Sequence, residues 1–237
     1  RDFIVGRIDL DTKTLYQDTS NSSWDKERVS IELGYESSRM DIVIFKPKNN
    51  YKPLESVIFY PGSNYYNNPP DIDDVNIGEF GLDFIIKSGR AVVWPAIKGS
   101  MNRLEKKGNQ LSEQEWSRKY RERLAHWTVD THRIIDYLER RPDFDENQIF
   151  YLGMSHGAIL TSHTLLYEKR FKAAILYVGG FNTWTPPITD GHNYVPRITL
   201  PVLMLNGEND YLIPKKMAED FYKYLGTSKE DKKLVFY

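Results

Sequence analysis

The stretch Gly153-Met154-Ser155-His156-Gly157 follows an apolar run, Ile149 to Leu152, that is typical of a buried strand. Glycines on both sides of a serine allow a sharp turn from strand to helix, because side chains at these positions would collide with neighbouring backbone. The pattern predicts that Ser155 projects into solvent as an attacking nucleophile. Residues at helical spacing then predict a helix from His156: Ile159, His163, Leu166 and Tyr167.

The rest of the chain alternates between strand and helix patterns. An antiparallel hairpin is predicted first, and parallel strands separated by helices follow it. This alternation predicts an α/β fold with a mostly parallel sheet, helices on both faces and ligands at the carboxyl ends of the strands. The predicted strands are 29–33, 41–45, 57–60, 91–94, 149–152, 173–178, 202–205 and 234–237, and the predicted helices lie around 80–87, 127–138, 156–167 and 217–225.

Two segments do not fit the alternation. Residues 98–123 are densely charged, and residues 181–199 contain Trp184 and three prolines. We expect both segments to cover the site, although a charged run such as 98–123 is equally typical of a solvated surface loop.

The amino-acid composition narrows the classes of function that the chain can have. The 237 residues carry 32 Lys and Arg against 33 Asp and Glu, so the overall charge does not favour binding to nucleic acid or to an acidic membrane. No apolar run approaches the roughly 20 residues of a membrane span. The lack of cysteine excludes disulfides and thiolate catalysis and leaves the compartment open. We expect a single domain over residues 1–237, cut from a longer polypeptide because the chain starts at Arg1.

A nucleophilic serine needs an imidazole to take its proton and a carboxylate to orient that imidazole. In enzymes with a G-x-S-x-G turn, the acid and then the histidine follow the serine in chain order. Asp210 lies just past a predicted strand and is the expected acid, with Glu208 in reserve; a turn-forming or helix-capping aspartate is the alternative. No histidine follows Asp210. His192 precedes it and breaks the order, so we expect the base beyond Tyr237.

An oxyanion hole needs two backbone N–H groups. The N–H of His156 is the first candidate, and the turn after the strand ending at Tyr60 supplies the second, from Ser63 or else Asn64. A plain β-turn is the alternative for that segment. Aromatic residues would shape the substrate pocket, with Tyr65 and Trp184 as the main candidates, although such residues often pack in the core instead.

With these residues in place, the chain resembles the α/β-hydrolase superfamily, and within it the dienelactone-hydrolase-like and prolyl-oligopeptidase-like esterases. The stretches 57–63, 84–92 and 201–207 are similar to hydrolase domains joined to bacterial Ser/Thr protein kinase domains. The resemblance implies an α/β-hydrolase fold, with Ser155 and Asp210 catalytic. Dienelactone hydrolases use a cysteine nucleophile, so the resemblance does not imply that particular activity here.

The leading hypothesis is therefore a carboxylesterase-type serine hydrolase that acts on a small-molecule ester without a cofactor. A second hypothesis is a catalytically silent module of a larger protein that keeps the fold to bind a partner. A metal enzyme ranks last. The stretch 71–76 has a valine where a calcium loop needs an oxygen ligand, and it lacks the turn glycine, so we expect a solvated loop there.

Overall fold

The computed structural model describes residues 9–48, 52–105, 112–182 and 185–237. The strands are β1 (Lys13–Asp18), β2 (Trp24–Glu32), β3 (Arg39–Pro47), β4 (Leu54–Tyr60), β5 (Ala91–Pro95), β6 (Phe144–Met154), β7 (Ala174–Tyr177), β8 (Val202–Asn206) and β9 (Lys232–Phe236). The α-helices are α1 (Asn64–Asn67), α2 (Asp83–Lys87), α3 (Glu113–Glu139), α4 (His156–Tyr167) and α5 (Lys215–Tyr224).

All these strands belong to one sheet in the order β1-β2-β3-β5-β4-β6-β7-β8-β9. The neighbouring pairs β1–β2, β2–β3 and β3–β5 are antiparallel. The remaining neighbours in the sheet, β5–β4, β4–β6, β6–β7, β7–β8 and β8–β9, are parallel. The predicted hairpin and the predicted parallel α/β sheet are confirmed. Because β4, β6 and β8 run in the same direction, the loops after them leave from one edge of the sheet, which we call the carboxyl edge.

Helix α3 corrects the prediction for residues 98–123. The helix begins at Glu113, where Ser112 and Glu115 form a capping box. Residues 113–123 are therefore helical and belong to the alternation of strands and helices. Charged residues between the apolar positions hid the helical spacing of the inward side, which carries Trp116, Tyr120, Leu124 and Trp127.

The described part of segment 181–199 forms three 3₁₀ turns, Pro187–Thr189, Gly191–Asn193 and Val195–Arg197. The second and third turns pack against α4, and the third also packs against α5. That the segment covers the site stays a prediction. Its prolines lack the N–H that a longer helix would need, so the crossover from β7 to β8 uses short turns.

Helix α4 is buried on more than one side. Tyr167 is 54% exposed, whereas Leu160, Thr161, Thr164 and Leu165 are buried. Helix α4 packs against β6, α3 and the 3₁₀ turns. Because neighbours surround most of the helix, its sequence shows little periodicity from which a buried side could be predicted.

The two faces of the sheet are covered unequally. One core cluster lies between the sheet and α3, α4 and α5, and a second lies under α2 and residues 65–82. On the second face, Phe150, Ile175, Leu203 and Leu205 of β6, β7 and β8 are only half-buried by the described chain. The described chain therefore covers the face of the sheet beneath α4 more fully than the opposite face.

Candidate active site

Ser155 lies at the tip of the turn from β6 into α4, with φ of +49° and ψ of −109°. Backbone strain of this kind in a non-glycine residue costs about 1–3 kcal/mol and persists only where the surroundings enforce it. The Ser155 N–H donates to the Tyr177 carbonyl at 2.8 Å, and the Ser155 carbonyl accepts from the Ile159 N–H at 3.0 Å. The predicted strand, turn and helix around Ser155 are all present, and the strain lies at the candidate nucleophile.

Close backbone contacts explain both glycines of the motif. A Cβ atom at Gly153 would lie 2.6 Å from the Gly157 carbonyl oxygen, and one at Gly157 would lie 2.0 Å from the Tyr60 carbonyl oxygen. The Gly157 N–H donates to the Pro61 carbonyl at 3.1 Å. The helix after the turn therefore lies directly against the backbone at the end of β4.

We expect Gly157→Ala to destabilise the fold by about 3 kcal/mol, because the methyl group must displace backbone and cannot simply move a flexible side chain. Equilibrium urea unfolding measures this change. Gly62→Ala is the matched control, since its Cβ would lie 3.6 Å from the nearest side-chain atoms, an ordinary contact. Equal stability of the two variants would contradict the close packing of α4 on β4.

The loop after β4 brings the predicted oxyanion residues to the turn. The nearest neighbours of a Cβ placed at Gly62 would include the Cβ of Ser155, at 3.6 Å. The amides of Tyr65 and Tyr66 donate to carbonyls of this loop. Among the hydrogen bonds of the described residues, the amides of Ser63 and Asn64 donate none. Both amides are therefore available near Ser155, and the segment is more than a plain β-turn because α1 begins within it.

The side chain of His156 is enclosed by aromatic rings. Its ring lies edge-on to Tyr66, with centroids 4.5 Å apart, and to Trp127, at 5.7 Å. Burial, with the nearby positive charge of Arg123, lowers the pKa of His156 to about 4. The imidazole is therefore neutral at pH 7. Sequence reasoning did not identify Trp127 and Arg123 as neighbours of the site; the helical spacing from Trp116 onward was the signal available.

Asp210 lies in the loop after β8, at the same carboxyl edge as Ser155. Its Oδ1 accepts from the N–H groups of Leu212 at 2.8 Å and Ile213 at 2.9 Å, so it has the turn-forming role that was the alternative prediction. A catalytic role is compatible with this, because one oxygen is enough for the turn. Glu208, the reserve acid, is 58% exposed and pairs with Lys215.

Hydrogen bonds and a ring contact link the loops that carry Ser155 and Asp210. Tyr177, whose carbonyl binds the Ser155 N–H, stacks its ring on Tyr237 with centroids 6.1 Å apart. The Tyr237 carbonyl accepts from the N–H of Glu208 at 3.0 Å. Strands β6 and β8 are separated only by β7, which corresponds to about 10 Å. The end of β9 thus lies beside Asp210 and Tyr177.

His192 lies away from this edge. Its Nδ1 pairs with Asp190 at 2.6 Å, and its ring stacks on Phe181 at 3.5 Å and faces Tyr224 at the end of α5. Among the described residues, the side-chain contacts of His192 are with Asp190, Phe181 and Tyr224, and none is with the Ser155 turn.

Of the predicted pocket residues, Tyr65 is a correction. It is 2% exposed, donates a hydrogen bond to Glu79 at 2.9 Å, and packs on Trp94 in the second core cluster. Its ring is thus part of the core, because α1 turns it inward onto the sheet. Trp184 lies outside the described residues. Tyr66, the next residue after Tyr65, packs its ring against His156 of the turn.

The acidic stretch 71–76 is packed more firmly than the sequence suggests. Ile72 and Val75 are buried, and Lys26 donates to the carbonyls of Asp73 and Val75. The Asp73 carboxylate pairs with Arg28. The prediction of a solvated loop is therefore wrong for its apolar positions. Among the described residues, no group of three or more His, Cys, Asp or Glu is placed to hold a metal ion.

Comparison with known structures agrees with this architecture. An acetyl xylan esterase from Paenibacillus sp. R4 is 18% identical with a TM-score of 0.71, over 96% of this chain and 82% of that one. An acetyl xylan esterase from Thermoanaerobacterium sp. is 18% identical with a TM-score of 0.70, over 97% and 82%. A cold-adapted esterase from an Arctic intertidal metagenomic library is 16% identical with a TM-score of 0.66, over 94% and 89%.

The parallel sheet, the serine turn and these similarities define an α/β-hydrolase fold. The sequence profile of the dienelactone hydrolase family matches residues 83–237. The chain belongs to the dienelactone hydrolase family, which confirms the predicted superfamily and the hydrolase class. A comparison with curated protein sequences gave no significant match. Within the described residues, every helix is too short or too polar to cross a membrane.

Proposed function

We propose that the protein is a serine hydrolase of carboxylesterase type, with Ser155 as the nucleophile. The strained backbone of Ser155, next to the loop after β4, is the observation that carries the proposal. A polar residue held in a costly conformation at the carboxyl edge of a sheet is typical of a functional site.

In the proposed reaction, Ser155 Oγ attacks the ester carbonyl carbon and its proton passes to a base. The negative oxygen that develops would be bound by the backbone N–H groups of His156 and of Ser63 or Asn64. The base then protonates the leaving alkoxide as the C–O bond breaks, which leaves an acyl group on Ser155. Water, deprotonated by the same base, releases the acid and restores the hydroxyl.

The base is proposed to be a histidine outside the 237 residues, oriented by Asp210. One feature supports this assignment. The ring of Tyr237 stacks on Tyr177, and its carbonyl accepts from the N–H of Glu208 in the loop that carries Asp210. Within the described chain, His126 and His132 approach Glu36 and Glu168 in the surroundings of α3, and neither contacts the turn.

The proposed substrate is a small ester. Membership of the dienelactone hydrolase family supports ester or lactone chemistry, and the similar structures include esterases. The second candidate function is a silent binding module, because the described polar contacts of His126, His132, His163 and His192 are with groups other than Ser155.

A fluorophosphonate probe distinguishes the two functions on the full-length polypeptide, because only a serine activated by a base reacts rapidly with it. We expect one label, mapped to Ser155 by peptide mass spectrometry, and no label in Ser155→Ala. A folded protein that remains unlabelled after prolonged exposure would favour the silent module.

A further inference from the structure

The turn after β7 lies between the two loops that carry Ser155 and Asp210. On one side, the Tyr177 carbonyl accepts from the Ser155 N–H at 2.8 Å. On the other side, the Val178 N–H donates to the Leu205 carbonyl of β8, also at 2.8 Å. Two consecutive residues therefore connect the nucleophile turn to the strand that leads to the candidate acid.

Val178 holds this turn in an unfavourable backbone conformation. Its φ is +56°, in the left-handed region, where a β-branched residue is a genuine outlier. Such strain persists only where the surrounding structure enforces it, and it is concentrated at functional sites. Ser155, with φ of +49°, is bonded to the residue before Val178. The two strained residues are thus joined through Tyr177.

The side chain of Asn206 continues this connection beyond the end of β7. Asn206 is the last residue of β8 and is fully buried. Its Nδ2 donates to the Gly179 carbonyl at 2.9 Å. Because β7 ends at Tyr177, this carbonyl lies past the strand and is bound by the amide side chain. The amide therefore fixes the turn after β7 to the strand end that leads into the loop of Asp210.

The strand pattern of β8 predicts an apolar residue at position 206. Val202 and Met204, at the same strand spacing, are buried in the core cluster beneath the helices. The Asn206 Oδ1 is buried and has no hydrogen-bond partner within the described residues. A half-satisfied buried amide costs stability that an apolar side chain would not. The polar residue is therefore explained by what it holds in place and not by the stability of the core.

The same turn contacts the segment that holds the Asp210 carboxylate. A Cβ atom at Gly180 would lie 2.9 Å from Ile213 Cγ2 and 3.1 Å from the Met217 carbonyl carbon in the first turn of α5. The Ile213 N–H donates to Asp210 Oδ1 at 2.9 Å. A shift of the turn would therefore move Ile213, and Asp210 with it, relative to Ser155.

We propose that Asn206 is a positioning residue, which holds the loop of Asp210 at a fixed separation from Ser155 through its hydrogen bond to Gly179. The inference rests on the proposed function, because the separation matters only if a single histidine must contact both side chains. Asn206 itself is fully buried and takes no part in bond making or breaking. A misplacement of about 1 Å can lower an enzymatic rate about a hundredfold, so one hydrogen bond is enough for this role.

The test is Asn206→Leu in the full-length protein, because leucine has the same branched outline and cannot donate to Gly179. We expect kcat for p-nitrophenyl acetate to fall by about tenfold to a hundredfold with KM near the wild-type value. The ascending limb of the pH profile of kcat/KM should move to lower pH, because an imidazole farther from the Asp210 carboxylate loses its proton more readily. Asn206→Ala, which adds no bulk, gives the same measurement if leucine prevents folding.

A double-mutant cycle with Asp210→Asn separates positioning from general stability. If Asn206 acts through Asp210, Asn206→Leu should lower kcat by no more than about twofold in the Asp210→Asn background, because the group that it positions is already disabled. Losses that multiply in the double variant would assign Asn206 a structural role only and overturn the inference.

Thr227→Val is the matched control near the other end of β8. The buried Thr227 hydroxyl donates to the Leu200 carbonyl at 2.8 Å, and valine removes this donor while keeping the shape. Its Tm should fall by an amount similar to that of Asn206→Leu, whereas its kcat should stay at the wild-type value.

Two further results would overturn the positioning role alone: wild-type kcat in folded Asn206→Leu, or an equal loss of kcat in Thr227→Val. In both cases the wild type would still turn over p-nitrophenyl acetate. Failure of the folded wild type to hydrolyse this ester and to react with the fluorophosphonate probe would instead contradict the proposed function, and this inference with it.

Discussion

Ser155→Ala is expected to lower kcat for p-nitrophenyl acetate by about a millionfold in the full-length protein, as expected for loss of an activated serine. Alanine removes the attacking oxygen and leaves the oxyanion donors in place. Because alanine also has a Cβ, the strained backbone at this position remains. The rate measured under saturating substrate reports on the chemical step without contributions from substrate binding.

A matched control is Ser88→Ala, in the turn between α2 and β5, where the hydroxyl donates to the Ile85 carbonyl at 2.7 Å. This variant should retain the wild-type rate. Thermal unfolding of both variants would establish that they are folded. Wild-type turnover in folded Ser155→Ala would assign the attack to another group and remove the main argument for this site.

Asp210→Asn is expected to lower kcat by about ten thousandfold, because a neutral amide cannot stabilise the imidazolium and favours the wrong tautomer. The amide oxygen can still accept from the N–H groups of Leu212 and Ile213, so the turn after β8 should persist. The substitution therefore separates the catalytic role proposed for Asp210 from its observed structural one. Burst and steady-state kinetics with p-nitrophenyl acetate would measure the loss.

Glu208→Gln provides the control, two residues away in the same loop. Glu208 is exposed and bound to Lys215, so the variant should retain nearly full activity. A large loss in Glu208→Gln together with full activity in Asp210→Asn would reverse the assignment of the acid. Similar small losses in both variants would restrict Asp210 to its turn-forming role.

The serine turn and its supports act as one unit. Gly157 lies against the end of β4, and Gly62, in the loop after β4, lies beside Ser155. A change that displaces α4 would therefore move the nucleophile and the candidate oxyanion loop together. The stability of Gly157→Ala and the rate of Ser155→Ala therefore both test the arrangement of α4 against the loop after β4.

Local sequence signals predicted the framework well where one side of an element is buried and the other is solvated. Helix α5 shows this, with Met217 and Phe221 on its inward side. The prediction failed where neighbours that are distant in sequence decide which residues are buried. Charged residues concealed the start of α3, and α4 lacked a distinct buried side because neighbours surround it.

The site was only partly predictable for a similar reason. Ser155 and the loop after Tyr60 are identified by short motifs whose glycines report steric limits within the backbone. The position of Tyr65 in the core depends on packing between elements that are far apart in sequence. His192 illustrates the limit, because its distance from Ser155 follows from the path of the 3₁₀ turns between α4 and α5.

By itself, the sequence determined the α/β class, the strand–serine–helix turn and the candidate nucleophile, because these depend on local periodicity and on the absence of side chains at two glycines. Only the tertiary structure decided how much of α4 is buried and where segment 185–199 lies. These features depend on which surfaces meet when the helices pack on the sheet. These surfaces are set by many contacts between residues that are far apart in the sequence, so no short stretch of sequence predicts them.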